Sequence, residues 1–108
     1  MQFKHLLYNL QAEALKDPNL HAAFQYVISR VMMVISGHIH EDAIEYLENF
    51  LEECAILRVK EIYNEEQYFF MTNLLEAIVD HMQRIEKEDI PKFQRLIIKV
   101  YNYEKKAV

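Results

Sequence analysis

A chain of 108 residues has room for one domain, residues 1–108, and no second. It is 52% hydrophobic with one Gly, two Pro and one Cys, which excludes collagen-like, low-complexity, disordered and disulfide-stapled classes. Its net charge of −5 repels nucleic acid and anionic membrane rather than attracting them, so neither is expected as a partner.

A lone cysteine suits a reducing compartment. The opening Met1-Gln2-Phe3-Lys4-His5 has neither the apolar run nor the small-residue cleavage site of a signal peptide. The longest apolar stretch, Tyr26 to Ile35, is broken by Ser29 and Arg30 and is too short for a bilayer. A cytoplasmic protein is expected. Hairpins need glycine-rich turns, and Asn-Gly, Asp-Gly and Gly-Gly are all absent. The composition therefore predicts an all-α fold before periodicity is considered.

The spacing predicts a first helix from Gln2 to Lys16, with Phe3, Leu7, Leu10 and Ala14 on one stripe beside Leu6. Asp17 should cap the next helix and Pro18 open it, where a missing N–H costs nothing. That second helix, Pro18 to Ser36, carries Leu20, Phe24, Val27, Ile28, Val31 and Ile35 on its stripe. Met32, Met33 and Val34 widen the stripe and leave Arg30 as the only charge. A helix apolar nearly all round should sit at the centre. Gly37 stands where a left-handed C-terminal residue is wanted.

A third helix starts around His38-Ile39-His40, with Glu41 and Asp42 suiting the positive end of its dipole and Ile39 placed to staple against Ile44. Ala43, Leu47, Phe50, Leu51 and Cys54 form its core stripe. Continued in phase, that stripe would next bury Arg58 and Glu61 and turn Ile56, Val59 and Tyr63 outward. The segment must bend, divide or present a second apolar face. Asn64 to Gln67 fits a capping box for a fourth helix, Glu65 to Lys87, with Tyr68, Met71, Leu74, Leu75, Ile78, Met82 and Ile85 inward. Asp89 should cap a last helix that has Pro91 in its first turn and Phe93, Leu96, Ile97, Val100 and Tyr101 on its apolar face. Short connections make neighbours antiparallel, which predicts one compact bundle of four to five amphipathic helices.

Charge is unevenly placed. Residues 38–66 hold nine acids and two bases, whereas residues 89–108 hold two acids and five bases. Glu41, Glu45, Glu48 and Glu52 follow helical steps and form one ridge. Such a ridge is a solvated face, a docking face for a basic partner, or the complement of Lys92, Arg95 and Lys99 on the last helix, within the chain or across a dimer. Ile56, Val59 and Tyr63 continue the line of the ridge, and Phe69, with Phe70 at its flank, adds to them. Uncovered, they would form an apolar patch of the kind that marks an interface.

Catalytic signals are thin. There is no Gly-rich phosphate loop, no Gly-x-Ser-x-Gly and no His-Glu-x-x-His. Cys54 reads as a buried small hydrophobe. His38 and His40 with Glu41 and Asp42 have ligand chemistry but no completing pair, so neither metal nor cofactor is expected. Lys105 and Lys106 extend the basic stripe, with Tyr101 and Tyr103 interleaved, but helix-turn-helix spacing is absent.

In size, acidity and helical pattern the chain is similar in kind to small bacterial regulatory, chaperone and immunity proteins that mask a partner. The expected function is a non-catalytic interaction module. It would bind another protein through Glu41, Glu45, Glu48, Glu52, Ile56, Val59, Tyr63 and Phe69. The alternatives are a homodimeric structural protein and a metal- or ligand-binding bundle.

Overall fold

Local chemistry sets the helix boundaries. The structure is a computed structural model that describes residues 2–106. Helix α1 spans Phe3–Ala14, α2 Pro18–Gly37, α3 His40–Val59, α4 Glu65–Arg84 and α5 Ile90–Lys106, and a single 3₁₀ turn, Lys87–Asp89, leads into α5. The described residues contain no strand, and the chain folds as an all-α bundle.

The Asp17 side chain accepts from the Asn19 N–H at 2.9 Å, with Pro18 in the first turn of α2. Asn64 and Gln67 form the reciprocal capping box, at 2.8 and 2.9 Å. Each satisfies an N–H that a helix start leaves without an internal partner. Gln67 also donates to the Asn19 carbonyl at 3.0 Å, tying the start of α4 to the start of α2.

That tie fixes directions. Phe24 and Phe70, both early in their helices, meet at 6.4 Å, so α2 and α4 run the same way. Phe3 meets Phe93, and Gln11 bonds Glu104, so α1 and α5 share a direction. His21, early in α2, bonds Glu104 near the end of α5, which sets α5 against α2. His40, at the start of α3, bonds the Met82 carbonyl near the end of α4, so α3 opposes α4. Helices α1, α3 and α5 thus point one way, and α2 and α4 the other. Helix α2 packs against all four others and is the central helix.

The expected stripes fill one core. Phe24, Val27, Ile28 and Val31 of α2 meet Leu47 and Phe50 of α3, Leu74, Leu75 and Ile78 of α4, and Ile97 of α5, all fully buried. Burying one such side chain contributes about 1.5–3 kcal/mol. The radius of gyration, 13.3 Å, is that of one compact domain of this length, about 13 Å.

Several local expectations are corrected. Gly37 ends α2 without a positive φ, and its successor His38 is extended. Ile39 is exposed and does not staple; it stands at the N-cap of α3 without a capping side chain. Asp89 belongs to the 3₁₀ turn rather than forming a separate cap. Met33 is exposed, so α2 is not enclosed on every side, while Phe70 is buried and leaves the proposed surface patch. Met1 lies outside the described residues.

Candidate functional site

Helix α3 is uninterrupted from His40 to Val59. Its inward stripe is Ala43, Leu47, Phe50 and Cys54. No break falls between Cys54 and Arg58, where the phase shifts: α3 runs through to Val59 and presents a second apolar face. Ile56 is 54% and Val59 74% exposed, joined by Ile62 in the following turn. Phe69, in the second turn of α4, is 55% exposed.

Glu41, Glu45, Glu48 and Glu52 are all exposed. Among the described residues, no basic side chain lies within 4.0 Å of any of these four carboxylates. The inner edge of α3 differs. Glu53 pairs with Arg30 at 3.1 Å, and the same guanidinium lies over the Phe50 ring at 4.7 Å. One acid of α3 is thus used in docking α3 to α2, and the ridge is left over. The basic stripe of α5 does not meet it inside the protomer: α3 packs on α2 and α4, while α5 packs chiefly on α2 and the 3₁₀ turn.

Tyr63 departs from its expected place. It is half-buried, its ring tilted against Tyr26 at 5.6 Å. Burial, then the neighbouring Tyr26 and Cys54, push its phenol pKa upward. Tyr63 is therefore chiefly a packing residue that shows one edge. That edge and Val59 share an open groove of about 500 Å³ with Arg58, Glu61, Asn64 and Glu65. Arg58 lies over the Tyr68 ring at 4.9 Å and reaches Glu65 at 3.8 Å, closing one side of the groove.

The groove exists because of a turn that the sequence concealed. The N–H of Glu61 bonds the Arg58 carbonyl, and that of Ile62 the Leu57 carbonyl, both at 3.0 Å. This is the Schellman closure of a helix. It places Glu61 at φ 60, the only positive φ on a non-glycine among the described residues.

The histidines near α3 are not assembled as a metal centre. His40 donates through Nε2 to the Met82 carbonyl at 2.7 Å, and the His38 ring stacks on Tyr46 at 4.2 Å. No group of three or more candidate ligands occurs among the described residues. Cys54 is buried, and burial, reinforced by Glu53, pushes its thiol pKa to about 11. It is protonated at neutral pH and a poor nucleophile.

Two polar features escaped the sequence reading. Glu104, only 4% exposed, accepts hydrogen bonds from Gln11 Nε2 and from His21 Nε2, the latter at 2.6 Å. This knot joins α1, α2 and α5. Its signal was present: Glu104 follows Phe93, Ile97 and Val100 at helical steps, and Gln11 lies between Leu7 and Ala14 on the stripe of α1. At the other end of the bundle, His81 stacks on Phe3 at 4.1 Å, nearly parallel, beside Phe93. Burial there lowers the His81 pKa, against smaller upward pulls from Asp80 and Asp89.

No family model, curated protein or solved structure matches this chain. No helix of the described residues is long and apolar enough to cross a membrane.

Proposed function

We propose that this protein is a non-catalytic interaction module that docks a basic protein partner on the outer face of α3. The reading is supported above all by one juxtaposition. Four exposed carboxylates without internal ion pairs run along α3 into exposed Ile56 and Val59. A soluble domain rarely lines up aliphatic side chains in water without a use for them. The carboxylates would steer a cationic partner and select its register, and the apolar end would hold it. The mechanism is steric masking in a cytoplasmic regulatory, chaperone or immunity role. No bond-making step is assigned.

Quantitative pull-down with mass spectrometry compares wild type with two variants, Glu45→Lys/Glu48→Lys and Val59→Ser/Phe69→Ser. Both should stay folded by circular dichroism and both should lose the same captured proteins. An unchanged set of captured proteins from both variants reduces the α3 face to ordinary solvated surface.

A further inference from the structure

Helix α5 presents a second outward face of the opposite sign. Arg95, Ile98, Lys99, Asn102, Tyr103 and Lys106 line an open groove of about 550 Å³ that is mostly apolar at its base. Lys92 continues the basic row towards the start of the helix. Ile98 and Tyr103 are exposed, and Lys92, Arg95 and Lys99 lie more than 4.0 Å from every acidic group among the described residues.

The faces of α3 and α5 match in order as well as in sign. On α3, Glu48 and Glu52 come first, then Ile56 and Val59. On α5, Lys92 and Arg95 come first, then Ile98 and Tyr103 with Lys99 between them. At the helical rise, Glu52 lies about 10 Å from Val59 along the axis, and Arg95 about 12 Å from Tyr103. Laid parallel with Glu48 and Glu52 opposite Lys92 and Arg95, the two helices bring Ile56 and Val59 opposite Ile98 and Tyr103. Within one protomer α3 and α5 already point the same way, both packed on α2.

We infer that the α3 face is covered by α5 of a second copy of this chain. A two-fold axis along the bundle keeps both α3–α5 pairings parallel and closes the assembly as a dimer. This rests on the reading of α3 as a docking face and names its occupant. An outside partner would then have to offer what α5 offers, a cationic helix studded with aliphatic and aromatic side chains, and would compete with self-pairing.

The test uses purified protein alone, by sedimentation equilibrium at low and high salt. Wild type should dimerise, more weakly at high salt. Glu48→Lys/Glu52→Lys and Lys92→Glu/Arg95→Glu should each weaken the dimer about tenfold or more, as like charges now face each other. The four-residue combination keeps the net charge at −5 and should restore dimerisation, as should an equimolar mixture of the two double variants. Circular dichroism checks folding; if a reversal unfolds the chain, Lys92→Gln/Arg95→Gln takes its place and should weaken the dimer in the same direction. A monomer at every concentration overturns the inference while leaving capture of an outside protein by α3 to the pull-down. A dimer indifferent to the α5 variants, or not rescued by the combination, overturns it as well.

Discussion

Two regions of this molecule break the same rule in opposite senses. Around Glu104 a charged residue is buried, and along the end of α3 aliphatic side chains are exposed. Buried polar groups and exposed apolar clusters are the informative exceptions to the ordinary partition of a folded chain. The first exception is resolved inside the chain, because Gln11 and His21 meet both oxygens of the Glu104 carboxylate. The second is not, because neither α2 nor α5 covers Ile56 and Val59. An exception with its partner in the same chain is architecture. One without a partner points outward.

The largest effect is expected at the buried knot. Glu104→Ala strands the Gln11 amide and the His21 ring next to a cavity. It should cost about 2–3 kcal/mol in urea unfolding, the penalty of leaving buried polar groups without partners, and lower Tm by about 10 °C or more. The triple variant Gln11→Leu/His21→Leu/Glu104→Leu sharpens the point. Removing all three partners together should recover most of that loss, since a well-packed apolar cluster is often as stable as a buried polar one. If Glu104→Ala unfolds at the wild-type midpoint, α5 does not depend on the knot.

A smaller effect is expected at His81. Burial against Phe3 lowers its pKa from 6.5 in the fold. The unfolded chain then binds the proton more readily than the native one. The contribution of neutral His81 is fully present above about pH 6.5 and is lost as pH falls through that value towards the lower native one. His81→Phe keeps an aromatic ring against Phe3 and removes the titration. Its urea midpoint should fall less than that of wild type between pH 7.5 and pH 5.5. Parallel pH profiles would show that His81 is not held neutral by its stack.

Periodicity made the helices and the central place of α2 readable, because burial on one stripe repeats every three to four residues whatever the tertiary partners are. It also marked the right exposed residues on α3. It failed where one position carries two demands. Glu104 satisfies the helical stripe but reads as a surface charge unless Gln11 and His21, distant in sequence, are known to converge on it. Extending the phase of α3 past its end predicts an outward Tyr63, but the helix stops at Val59 and the turn redirects the side chain inward. Gly37 suggested a left-handed turn that the chain does not make there, and Glu61 makes one without glycine.

Glu61 supplies the next prediction. A left-handed φ costs an L-residue with a Cβ about 1 kcal/mol, and glycine is free of that penalty. The side chain is exposed, so little contact is lost on removing it. Glu61→Gly should stabilise by about 0.5–1 kcal/mol, read as a higher urea midpoint at an unchanged slope. A loss of stability would mean that the Glu61 side chain holds the turn through a contact worth more than the strain.

The smallest effect on folding is expected where the effect on binding should be largest. Ile56 and Val59 are half or more exposed at the end of α3. Replacing Val59, the more exposed of the two, with Ser removes apolar surface that the protomer hardly buries, so the unfolding free energy should stay within about 0.5 kcal/mol of wild type. The dimer, and capture of any basic partner, should weaken together. A drop of 2 kcal/mol or more, the scale of a buried aliphatic side chain, would mean that Val59 packs within the protomer. The contrast with Glu104 would then vanish, because both exceptions would have been resolved inside a single chain.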